Sequence, residues 1–142
     1  MLVTRMDLND FLGPNPIIIE LQAENRWQVI DELIGALVVH GKIKPEDTKA
    51  ITEAVRKRES AMSTGIGFGI GIPHASTNLV SEVVGVIGRS RNGVHFEALD
   101  GKPVRLVMLF LVPERQFQKH LHALADIAKL LHKQDFRDGL GL

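Results

Sequence analysis

The chain contains no cysteine, no tyrosine and a single tryptophan, and it has no excess of either charge. Without cysteine there is no disulfide framework, no thiolate zinc site and no cysteine nucleophile. One Trp and six Phe leave little to stack on nucleic-acid bases. Seventeen Lys and Arg offset seventeen Asp and Glu. A nucleic-acid binder draws much of its affinity from a basic excess, and none exists here. Long apolar runs are missing too. The longest is Leu106 to Val112, bounded by Arg105 and Pro113, whereas a spanning helix needs about 20 residues. Nor does Met1-Leu2-Val3-Thr4-Arg5-Met6-Asp7 lead into a signal-peptide core.

What is present is an ordinary globular composition. Hydrophobic residues make up 44% of 142, which with zero net charge excludes a disordered chain. The expectation is one domain over residues 1–142, cytoplasmic, without membrane insertion and without nucleic acid as a partner.

Ile17-Ile18-Ile19 reads as a short strand of β-branched residues. Trp27, Ile30, Leu33, Ile34, Leu37 and Val38 recur at helical spacing, with Asn25 able to cap the start and Gly41 the end. A second helix is expected from Pro45 to about Arg58, its first turn carrying Glu46 and Asp47. Val83 to Gly88 is a strand candidate, Asn92-Gly93 a turn, and Asp100-Gly101 another. Arg105 to Val112 is apolar enough for a central strand buried on both faces, ended by Pro113. A last helix is expected from about Glu114 to Leu131. Strands and helices alternate, so the expected class is α/β, a mixed β-sheet flanked by helices.

The chemistry concentrates between Ser63 and His74. Glycines 65, 67, 69 and 71 alternate with Ile66, Phe68, Ile70 and Ile72. In an extended chain the glycines would share one face. That face either admits a neighbouring backbone or presents bare N–H groups to an anion. The spacing fits neither a dinucleotide fingerprint nor a P-loop. His74 follows Pro73, which fixes the backbone before it. A neutral imidazole at this place is a candidate nucleophile, since its ordinary pKa lies near physiological pH. Standing alone, a histidine in such a place is more often a structural one. His120 and His122 are two apart and point to different helix faces, a poor metal pair. No HExxH is present, so no metal or other cofactor is expected. Arg56-Lys57-Arg58 reads either as a solvated helix end or as a phosphate-neutralising group.

These segments together resemble a known family. Arg58-Glu59, Ser63-Thr64-Gly65-Ile66-Gly67 and Gly69-Ile70-Gly71-Ile72-Pro73-His74 are similar to the phosphorylation motif of enzyme IIA proteins of the bacterial phosphoenolpyruvate:sugar phosphotransferase system, in the fructose/mannitol/nitrogen-regulatory branch. The likeness continues through Ala98-Leu99-Asp100-Gly101-Lys102-Pro103-Val104, Leu111-Val112-Pro113 and His120-Leu121-His122-Ala123-Leu124. It implies a compact mixed-sheet fold in which His74 takes a phosphoryl group from the phosphohistidine of the carrier HPr. His120 matches the family's second active-site histidine, Arg58 its nearby arginine, and Thr64 a residue of the motif that could hydrogen-bond the phosphoryl group. Two positions depart from the pattern. Gly71 stands where alanine is usual, and Phe68 where a polar residue is common. The resemblance leaves three functions open: a nitrogen-type regulator signalling to partner proteins, which is preferred; a sugar-specific carrier passing phosphate to a IIB component; and a binding module of the same fold without transfer.

Overall fold

The computed structural model describes residues 17–61, 63–67, 69–98, 100–116 and 129. The described elements are β1 (Ile17–Glu20), α1 (Arg26–Val39), a 3-10 turn (Pro45–Asp47), α2 (Thr48–Ala61), β2 (Gly65–Gly67), β3 (Ile70–Gly71), β4 (His74–Thr77), β5 (Val84–Val94), β6 (Val104–Pro113) and a second 3-10 turn (Glu114–Gln116). They form one mixed sheet with helices packed on it, the expected α/β class.

α1 forms for the reasons visible in its sequence. Asn25 is extended, and its Oδ1 accepts the Gln28 N–H at 3.0 Å, satisfying one orphan donor. Val29, Ile30, Leu33, Ile34 and Leu37 are buried. Gly41 ends the helix at φ 72°, a left-handed conformation that suits glycine. The second predicted helix splits. Pro45–Asp47 makes a 3-10 turn, and α2 then runs on to Ala61, past the expected end at Arg58.

The strand order is β1-β5-β6-β3-β2, with β4 also paired to β6. β5 and β6 are antiparallel, from Val84↔Leu111 to Arg89↔Leu106. On the other edge of β6, β3 pairs in parallel at Leu106 and Val107, and β4 at Phe110 to Pro113. Leu106 to Val112 is buried throughout, as a central strand requires.

The sheet also departs from what the sequence suggests. The glycine-dense passage is not one extended strand. β2 and β3 are antiparallel, with Gly65 opposite Gly71, and Gly67 and Gly69 sit at φ 95° and 79°. Those angles are accessible to glycine and turn the chain back on itself. Asn92-Gly93 does not separate two strands. It lies inside β5, whose register against β6 slips between Arg89 and Val94. Gly93 takes φ 84° there, and Ser90 Oγ accepts its N–H at 3.0 Å. β4 was not foreseen as a strand at all. His-Ala-Ser-Thr is short and half polar, and only its pairing to β6 makes it extended. Beyond Gln116, the expected last helix lies outside the described residues, apart from Lys129.

Candidate active site

His74 opens β4, and its position is set from both sides. Pro73 has no N–H and a restricted φ. Its carbonyl accepts the Phe110 N–H at 3.1 Å, which joins the segment to the central strand. The imidazole is half-buried, and its Nδ1 lies 2.9 Å from the Ile72 carbonyl oxygen. A carbonyl can only accept, so Nδ1 carries the proton. In the neutral ring, Nε2 then holds the lone pair.

Burial lowers the His74 pKa below its ordinary value of 6.5. The Ile72 hydrogen bond opposes this, the Arg58 charge adds to it, and the Glu59 charge opposes it. The net direction favours the neutral ring, which is the nucleophilic form.

β4 packs against α2, and the two enclose a cleft of about 450 Å³. From α2 it is lined by Ala54, Lys57, Arg58 and Ala61. Those positions share one helical face, and the two alanines leave room beside the two cations. From β4 come His74, Ala75 and Ser76. His74 and Ser76 are two apart on the strand and half-buried, whereas Ala75 and Thr77 are buried. The arrangement puts a nucleophilic nitrogen in a cleft with a guanidinium and an ammonium, a setting that suits an anionic electrophile.

Arg58 and His74 are thus brought together. Thr64 is not among the lining residues. It is buried, its hydroxyl donates to Glu59 Oε1 at 2.6 Å, and its N–H donates to Glu59 Oε2 at 2.8 Å. His120 lies outside the described residues. The glycines belong to the sheet rather than to the cleft wall. A Cβ on Gly65 would come 2.8 Å from the Ala98 Cα, the close backbone approach that a glycine face allows.

Sequence reasoning gave no role to Lys57 as distinct from its neighbours, to Ser76, or to Glu59. Helical spacing from Arg58 could have separated Lys57, on the cleft face, from Arg56. The Arg56 guanidinium instead binds Asp31 at 2.7 Å. Ser76 follows His74 at strand period. Glu59 sits in line with Ile51 and Val55 on the buried side of α2, and an acid in an apolar stripe signals a buried partner. Among the described residues, no three His, Asp or Glu side chains gather as a metal site would need, and no helix is long and apolar enough to cross a membrane.

Comparison with known proteins bears on the family and the fold. The chain is 38% identical over 135 residues to the PTS system fructose-specific EIIABC component of Bacillus subtilis, spanning 95% of this chain and only 21% of that protein. It is 33% identical over 130 residues to a nitrogen regulatory protein of Bradyrhizobium diazoefficiens, covering 92% of this chain and 83% of the relative. The crystal structure of the nitrogen regulatory protein IIA-Ntr from Neisseria meningitidis superposes with a TM-score of 0.76 at 31% identity, over 87% of this chain and 83% of that one. The family described as phosphoenolpyruvate-dependent sugar phosphotransferase system, EIIA 2, matches residues 10–141, and the chain belongs to it.

Proposed function

We propose that residues 1–142 are one enzyme IIA domain that accepts a phosphoryl group on Nε2 of His74 from the phosphohistidine of an HPr-type carrier. The observation that carries this reading is the His74 ring itself. Its Nδ1 proton is committed to the Ile72 carbonyl, and the ring stands in a cleft with Arg58 and Lys57.

The step is a direct exchange between two imidazoles. The Nε2 lone pair attacks phosphorus, the donor's N–P bond breaks, and the donor imidazole leaves with the bonding pair. His74 keeps its Nδ1 proton, so the Ile72 carbonyl stabilises the positive charge that develops on the ring. Arg58 and Lys57 attract the phosphoryl oxygens and offset their charge as they enter the cleft. Ser76 offers a further hydroxyl donor. His120 serves in this reading as the supporting histidine. No bound cofactor is required.

The end point of the phosphate is regulatory in the reading we carry forward. The similarity to IIA-Ntr and to the Bradyrhizobium nitrogen regulatory protein supports it, and that relative is matched over most of its length. Phosphorylation would then alter affinity for partner proteins through the added charge. The fructose-specific relative favours a second reading, in which phosphate passes to a IIB component.

The test is intact-mass spectrometry after incubation with phosphoenolpyruvate, enzyme I and HPr. Wild type is expected to gain one acid-labile phosphate, and His74→Ala none. His120→Ala is expected to slow the transfer with His74 still the modified residue. Label on His120 in wild type would overturn the assignment of roles. No phosphate on folded wild type, with active donors, would leave only the binding-module reading.

A further inference from the structure

Glu59 is fully buried, and the chemistry of transfer makes no direct use of it. An ionised carboxylate is expensive to bury unless it is paired and hydrogen-bonded. Its neighbours along the same stripe of α2, Ile51 and Val55, fill their places with hydrocarbon. A purely space-filling need would be met in the same way at position 59.

The carboxylate's contacts show where its influence goes. Oε1 accepts the Thr64 hydroxyl at 2.6 Å, and Oε2 accepts the Thr64 N–H at 2.8 Å. The same Oε2 lies 3.5 Å from a guanidinium nitrogen of Arg26, which is itself largely buried. Arg26 also binds Glu97 at 3.0 Å and lies over the Trp27 ring, 4.4 Å from its centroid. Thr64 is therefore gripped at two donors by one carboxylate, and that carboxylate is braced by an arginine held on three sides.

Thr64 passes the constraint on. Its carbonyl accepts the Ile72 N–H at 3.1 Å. The Ile72 carbonyl accepts the His74 Nδ1–H at 2.9 Å. Pro73, between them, is tied to Phe110. The peptide that orients the imidazole is thus pinned on one side by the central strand and on the other by Glu59 acting through Thr64.

We propose that Glu59, braced by Arg26, is a positioning residue for phosphoryl transfer, holding the His74 ring in its Nδ1-protonated tautomer through Thr64 and the Ile72 carbonyl. The proposal rests on His74 being the phosphoryl acceptor. It gives Thr64 a task it performs from behind the cleft. A ring freed of this hold samples the other tautomer, with Nε2 protonated and no lone pair there to attack. Loss of the hold should then slow transfer without moving the label.

The test uses the full-length protein labelled with 15N-histidine. The His74 tautomer is read from its ring nitrogen shifts, and the transfer rate from HPr is measured on the same samples. Glu59→Gln keeps the volume and removes the charge. Thr64→Val removes the hydroxyl and keeps the N–H, and Thr64→Ser restores the hydroxyl. Glu59→Gln and Thr64→Val should each slow transfer roughly tenfold, matching the low end of the cost of losing the group that orients a metal-bound imidazole. Both should shift the ring from one tautomer to a mixture, and Thr64→Ser should behave as wild type in both readouts. Should Glu59→Gln fail to fold, the Val and Ser pair at Thr64 decides the matter. A wild-type tautomer in folded Glu59→Gln or Thr64→Val would overturn the proposal, whatever the rate. Absence of phosphate on wild type would instead overturn the acceptor role of His74, while the tautomer measurement on unmodified protein would still decide the positioning.

Discussion

As the proposed phosphoryl acceptor, His74 meets two demands that pull against each other. A nucleophile must be unprotonated, and a phosphoryl acceptor must stand among cations that draw in the anion. Burial and the Arg58 charge both act in the first direction, since each disfavours an imidazolium. The folded pKa therefore lies below the ordinary 6.5. The rate of transfer to this protein should stay level as pH falls through 6.5 and decline only at lower pH, where the ring protonates. Arg58→Met separates the two effects of that arginine. It should raise the His74 pKa, seen by NMR titration, and should still slow transfer, because the phosphoryl oxygens lose a charge partner. A slower variant with an unmoved pKa would show that Arg58 acts on the phosphate alone. The same shift has a sign for stability. Unfolded chains bind the His74 proton more readily than the native state does, so the neutral ring's contribution is present above about 6.5 and is lost as pH falls through the folded pKa. His74→Gln should show a shallower loss of stability on acidification.

At the level of elements, the site depends on how closely the β2–β3 hairpin packs. A Cβ on Gly71 would meet the buried Phe96 ring at 2.9 Å, so any side chain at this position has to displace that ring. A Cβ on Gly65 would meet the Ala98 backbone at 2.8 Å, and backbone cannot rotate away. Overpacking of a buried ring costs about 1–3 kcal/mol. Urea unfolding should give that range for Gly71→Ala and a larger loss for Gly65→Ala. The sequence made α1 and β6 plain, because helical spacing with Asn25 and Gly41 at the ends, and a continuous apolar run, are local signals. It also pointed to His74 and Arg58 through their motif. It could not disclose that the alternating glycines fold into a hairpin, since that depends on φ at Gly67 and Gly69. Nor could it disclose β4, whose extended form comes from a partner some thirty-five residues away in sequence. For Glu59 the sequence shows an acid in the apolar stripe of Ile51 and Val55, but not its partners: Arg26 is brought to it by the packing of α1, and Thr64 by the turn of the chain after α2.

On the scale of the whole molecule, the charge balance turns modification into a large relative change. Seventeen positive and seventeen negative side chains leave no net charge, and the pI is about 7.0. Near that pH ordinary carboxylates and lysines do not titrate, so few groups buffer the net charge. A phosphoryl group adding roughly one to two negative charges should then move the isoelectric point by about half a pH unit or more. On a native gel near pH 7, the unmodified protein should scarcely migrate, and the phosphorylated form should run clearly toward the anode. His74→Ala treated with the same donors should stay with the unmodified band. At long range the net charge dominates the field, so in the proposed function a partner approaches a protein of no net charge before phosphorylation and an anionic one after it. In the regulatory reading, a partner that prefers one form should therefore lose that preference as salt rises. A preference that survives at several hundred millimolar salt would place the discrimination in close contacts around the cleft lined by Lys57, Arg58 and Ser76, where the proposed transfer puts the phosphoryl group, rather than in the charge of the molecule.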